Sequence, residues 1–167
     1  MESSVTQCRH LLRLATPVLA GLSDEHLALE PQPGTKTAGW LIGHLAVTGD
    51  FGRRLCGRPP KCPKEWRALF NPGSRPSAQR ADYPSMAQLR EAFHDVYNDL
   101  CEAAASADAA ALAAENPYEP TRSAFPTSGL FVAYLLSGHF AYHFGQLFAW
   151  RAAAGLAGPG HSDTLAA

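Results

Sequence analysis

The sequence predicts an all-α protein, a four-helix bundle whose second and third connections are long. Two observations carry this prediction. Apolar residues recur at alternating three- and four-residue spacing in stretches separated by proline and glycine, and no stretch makes a convincing strand. Residues with helix-capping chemistry stand ahead of the long apolar runs.

The first helix is expected from Ser4, with Gln7 completing a capping box, and its buried face reads Val5, Cys8, Leu12, Ala15, Leu19 and Leu22. Pro17 falls inside it, where it removes a backbone bond near Arg13 or kinks the helix. A short helical turn over Asp24–Leu27 and a loop at Glu30–Gly34 follow. Thr35 or Thr37 caps the second helix, whose apolar residues Trp40, Leu41, Leu45, Val47 and Phe51 surround His44. Gly57 to Pro84 is a proline-rich connection with a helical turn around Trp66, and a connection of that length in a small protein suggests a lid over a site. Ser85 and Gln88 form a second capping box, and the third helix buries Met86, Leu89, Phe93, Val96, Tyr97, Leu100 and Cys101. Asp108–Pro126 is a crossover. Thr127 or Ser128 caps the last helix, which runs to about Ala154-Gly155.

Composition agrees with one folded domain over residues 1–155 and a flexible Gly/Ala-rich tail over 156–167. The chain has 167 residues, of which 46% are hydrophobic and 17% charged, well within the range of globular proteins. Net charge is -1 and no basic block stands out, which argues against nucleic acid or an anionic membrane as partner. The four cysteines form no Cys-x-x-Cys, and the polar opening lacks the basic start and apolar core of a secretion signal. A reduced, cytoplasmic setting is therefore expected, with the cysteines as packing residues and no Cys56–Cys62 disulfide. Leu130 to Trp150 carries no charge and is long enough to span a bilayer, but its two histidines, glutamine and serine favour a buried core helix.

Within that last helix His139 and His143 stand four residues apart, on one helical face, with Gln146 one further turn along. Such a pair can grip one metal ion, or it can be two hydrogen-bonded core histidines. His44 is the third candidate, because it sits on an apolar helix with no charged neighbour from Trp40 to Thr48. His10 and His26 lie among charged residues, His94 opposite the buried stripe and His161 in the tail, so these read as solvated or capping groups. Three neutral imidazoles with an open fourth position are the coordination of a catalytic site, where the ion activates water or a thiol. Each ring would donate its second N–H to a partner, for which Gln146, Tyr142 or a backbone carbonyl are at hand. Glu30, Asp50 and Tyr142 are the candidates for a general base.

Two segments, Gly39-Trp40-Leu41-Ile42-Gly43-His44-Leu45 and His139-Phe140-Ala141-Tyr142-His143-Phe144-Gly145-Gln146-Leu147, resemble the DinB/YfiT-like superfamily of four-helix-bundle metalloenzymes. The resemblance covers nearly the whole chain in helix order and spacing. It implies that His44, His139 and His143 bind one divalent ion, with zinc or nickel the usual metals. It also implies a small-molecule substrate, a low-molecular-weight thiol as co-substrate in the S-transferase members, and a homodimer. Pro17 and the proline-rich Gly57–Pro84 segment depart from the family pattern and bear on the shape of the pocket mouth. Two functions follow: a metal-dependent thiol transferase or hydrolase acting on a small electrophile, or a non-catalytic metal-binding stress-response bundle.

Overall fold

A computed structural model describes residues 1–156. The expected flexible tail lies, beyond its first residue, outside the described residues. Among the described residues the protein is all-helical, and strand-like pairing is confined to one isolated bridge between Glu115 and Thr127.

Helix α1 spans Glu2–Leu19 and starts earlier than the Ser4 capping box predicts. Met1 takes the cap position with no side-chain bond, and its carbonyl accepts from Val5 N at 3.1 Å. Ser4 and Gln7 thus lie inside the helix, where their capping chemistry is unused. The expected face is buried throughout, from Val5 to Leu22. Pro17 lies within the last turn, so the bond it forfeits is lost close to a terminus that ends anyway at Leu19. Beyond it a 3-10 turn at Asp24–His26 is closed by its own histidine, with Ser23 N donating to His26 Nδ1 at 3.0 Å.

Helix α2, Ala38–Leu55, is capped by Thr37, whose hydroxyl oxygen accepts from Trp40 N at 3.2 Å. It is the central element, buried on every side from Ala38 to Asp50. It packs against α4 (Met86–Ser106), the short α3 (Trp66–Phe70) and α7 (Phe140–Ala153), while α1 packs on α4 and α7. Neighbours come close because α2 carries glycine where they cross. A Cβ at Gly49 would meet Val96 of α4 at 2.8 Å. The Ser85–Gln88 capping box starts α4 as expected. The crossover before the last helix contains α5 (Ala109–Ala113) and a 3-10 turn at Glu119–Thr121.

The last helix is not one regular helix. It consists of α6 (Ser128–Tyr134, capped by Thr127), a π-helical segment at Leu135–His139, and α7. The reason is in the spacing of its inward residues. Phe131, Leu135, His139, His143, Leu147 and Arg151 are all buried, and each is four residues from the last. In an ideal α-helix each four-residue step overshoots a full turn by about 40°, so five steps would rotate the face by about 200°. A wider π turn absorbs part of that drift and keeps the stripe facing inward.

The outward face of this run is open to solvent. Leu130 is 51% exposed, Tyr142 62% and Phe148 40%. Among the described residues no helix is long and apolar enough to cross a membrane.

Candidate metal centre

Three elements, α2, the π segment and α7, bring three imidazoles together. His44 comes from the middle of α2, His139 from the end of the π segment and His143 from the first turn of α7. All three are at most 9% exposed. One ring nitrogen from each lies within 4.8 Å of the others, a grouping that could hold a metal ion. The three residues expected from the sequence are therefore neighbours in space.

Their hydrogen bonds decide which nitrogens face inward. His44 Nδ1 lies 2.7 Å from the Phe70 carbonyl oxygen, which can only accept, so Nδ1 carries the proton and Nε2 the lone pair. His143 Nδ1 lies 2.8 Å from Gln146 Oε1 and is likewise the donor. His44 Nε2 in turn meets His139 Nε2 at 3.2 Å. Nδ1 of His139 is buried with no hydrogen-bond partner among the described residues.

Burial disfavours the charged form of every ring. It pushes His44 down to about 4, against a smaller opposing effect of the Phe70 carbonyl. His139 is pushed down to about 3, by burial first and then by the other two histidines. His143 is lowered as well, again by burial. All three are thus neutral donors at neutral pH. Two of these neutral imidazoles, His44 and His143, have the far N–H tied to a carbonyl or amide oxygen, which is the chemistry a divalent ion requires, and the residues fit one.

Aromatic rings fix the geometry further. Trp40 stacks on His44 with centroids 4.5 Å apart and planes 10° apart. The indole Nε1 donates to Ser74 Oγ at 2.9 Å, and Ser74 Oγ donates to the Leu69 carbonyl at 2.8 Å. Tyr134 meets His139 edge-on at 5.6 Å.

The triad opens on a cavity of about 650 Å³. The proline-rich connection supplies one wall through Cys62, Arg67 and Asn71–Gly73. This connection is pinned rather than free. Phe70 is 0% exposed, Tyr83 and Thr37 share a hydrogen bond of 3.1 Å, and Asp50 accepts from Lys61 N at 2.9 Å. It forms a hydrogen-bonded wall of the cavity.

The candidates for a general base are not brought to the triad in usable form. Asp50 lines the cavity but is buried against Arg53 at 2.6 Å, and Arg53 is also paired with Asp99. The Glu30 carboxylate is exposed and accepts from Gly34 N, and Tyr142 faces solvent. Of the other histidines, His26 is a capping group, His10 is exposed beside Arg13, and His94 is half-buried away from the cavity. His161 lies outside the described residues. Cys56 and Cys62 are free thiols, pushed up by burial to about 11 and about 12.

Sequence reasoning missed Phe70 as the partner of His44, because a backbone carbonyl has no side-chain signature. It also missed the π segment, although the unbroken four-residue spacing of the inward stripe was there to be read.

Comparison with known proteins assigns the sequence to a family. No curated protein and no solved structure matches the chain. The sequence profile of the DinB superfamily matches residues 7–147, a span that holds all three histidines and both of their oxygen partners. The chain belongs to the DinB superfamily.

Proposed function

We propose that this protein is a metal-dependent enzyme in which His44, His139 and His143 hold a divalent ion, zinc or nickel, and act on a small electrophilic substrate with a low-molecular-weight thiol or water as nucleophile. The observation that carries this reading is the convergence of three neutral imidazoles beside an open cavity, two with their outer N–H tied to an oxygen. A divalent ion held there would supply a Lewis acid that ionises a thiol or water near neutral pH.

The chain's own residues do the rest. Phe70 and Gln146 hold the tautomers that keep Nε2 lone pairs inward. Trp40 restricts the His44 ring and covers one face of it. Tyr134 packs edge-on against the His139 ring, and Phe131 lines the same cavity. Among the described residues a protein base is not at hand, since Asp50 is committed to Arg53. A thiol needs less help than water to lose its proton, which favours transfer to a thiol over hydrolysis. Soft thiolate chemistry in turn favours zinc.

The wider reading is a single-domain four-helix bundle with long second and third connections, working in the cytoplasm as a homodimer. The exposed stripe of Ala141, Tyr142, Gly145 and Phe148 is the face on which copies would pair.

Metal analysis of the purified protein beside His143→Ala tests the centre. Stoichiometric zinc or nickel in the wild type, lost in the variant, supports it. No metal after reconstitution refutes it. A screen of thiols against electrophiles on the loaded protein then tests catalysis. Bound metal with no turnover would favour the non-catalytic bundle.

A further inference from the structure

The cavity beside the triad carries a charge imbalance that the metal centre does not use. Lys36, Arg54 and Arg67 all line it, and none has an ion-pair partner among the described residues. Among the described residues the one carboxylate on the wall, Asp50, is already satisfied by Arg53 Nη1 and by the backbone N–H groups of Lys61 and Cys62. Three neutral imidazoles would leave the charge of a divalent ion uncompensated as well. A concave site that gathers unpaired cations between low-dielectric walls concentrates anions.

The placement of these groups limits the anion further. Lys36 stands at one end, its Nζ 3.8 Å above the Trp40 ring, with Trp40 stacked on His44. Its ammonium donates to the Ser74 carbonyl at 3.2 Å and keeps further N–H donors for a ligand. Beyond the triad, in the other direction, the wall is aromatic. Tyr134 touches His139, Phe131 lies 6.2 Å from Tyr134, and Tyr118 stacks on Phe131 at 5.8 Å. A ligand lying across the triad would therefore meet Lys36 at one end and the rings of Phe131 and Tyr134 at the other, with the Arg54 guanidinium set off from those rings over Phe51 at 5.7 Å.

We propose that the substrate bound in this pocket is an arylalkyl or arylalkenyl carboxylate, its ring against Phe131 and Tyr134, its carboxylate on Lys36, and its reactive middle beside the three histidines. This deepens the metal-enzyme reading and rests on it for the reaction. The binding site itself stands on the cavity, its cations and its rings. Lys36 is a specificity residue here, since it selects the charged end.

Isothermal titration of the full-length, metal-free protein with 3-phenylpropionate and its neutral amide tests this. The acid should bind about tenfold more tightly than the amide, the worth of one charge-assisted hydrogen bond in a partly dry site. Lys36→Met should abolish the preference, Lys36→Arg should keep most of it, and Phe131→Ala should weaken acid and amide alike. Equal affinity for acid and amide, or a preference unchanged in Lys36→Met, would overturn the proposal. Circular dichroism checks that each variant is folded. A parallel zinc titration separates the two readings. Zinc binding without acid preference sinks the substrate proposal alone, and acid preference without zinc binding sinks the metal reading alone.

Discussion

Replacing Gly43 by alanine should loosen the metal centre without touching any ligand. Gly43 precedes His44 on α2, and a Cβ there would stand 2.5 Å from Cε1 of Phe70 and 2.6 Å from Cδ1 and Cζ. Those distances are impossible, so the ring must move. It has little room, being fully buried with Trp66 at 5.9 Å and Tyr83 at 6.1 Å. Overpacking of this kind costs about 1–3 kcal/mol. Alanine returns about 1 kcal/mol of helix propensity, so the net loss of stability should be about 1 kcal/mol. The larger effect is on the site. The same residue supplies the carbonyl that holds His44 Nδ1 at 2.7 Å, and a displaced ring carries that carbonyl with it. Loss of such a partner lowers metal affinity by about 10–100-fold. Urea denaturation of the metal-free protein and calorimetric zinc titration measure the two effects. Phe70→Leu in the same chain makes room for the new methyl and should restore affinity, a coupling that a double-mutant cycle isolates. If Gly43→Ala is as stable as wild type and its zinc affinity is unchanged, neither the close approach nor the Phe70 carbonyl matters as argued.

Three further outcomes are expected. Gln146→Leu removes the oxygen that fixes His143, and should weaken zinc by about tenfold or more while Gln146→Glu stays near wild type, as titration will show. Asp50→Ala removes one of the two carboxylates paired with the buried Arg53, leaving Asp99, and frees the backbone at Lys61 and Cys62, at a cost of about 1–3 kcal/mol by urea denaturation; a change within error would mean that the wall is held by other contacts. In the metal-free protein the buried rings refuse protons that the unfolded chain accepts near its ordinary histidine value of about 6.5. Stability should therefore be whole above about pH 6.5 and fall as pH drops toward about 4 for His44 and about 3 for His139, with His44 alone worth about 3 kcal/mol when fully protonated. Denaturation curves across that range, flat where this predicts a slope, would show that the rings are more solvated than their burial suggests.

Much of the centre was legible in the chain because two of its ligands share one helix. His139 and His143 at four-residue spacing had to face the same way, and Trp40, Leu41 and Leu45 left His44 no face that was not apolar. The long helices were legible for the same reason, since their apolar spacing matches the turn of a helix. What could not be read was anything made by backbone or by distant pairs. The Phe70 carbonyl, the Trp40–Ser74 bond and the Arg53–Asp99 pair each join residues far apart in sequence. Ser4 misled because a capping motif near a terminus competes with a helix that can start sooner. Nearness in sequence to the ligands does not make Asp50 or Tyr142 a general base, because the fold commits Asp50 to Arg53 and turns Tyr142 outward.

The π segment at Leu135–His139 has a consequence for how this site tolerates change. It works as a phase adjuster between α6 and α7. A π turn takes up about one residue more than an α turn, so the segment holds one residue beyond what a regular helix would need. Deleting that residue would let the run relax to a regular helix with Phe131 and Tyr134 still on the side of His143. Straightening the segment without shortening it would instead turn everything upstream by about 100° relative to α7, and swing both rings away from the cavity they wall. One residue of length thus sets the alignment between the ring wall and the ligand pair.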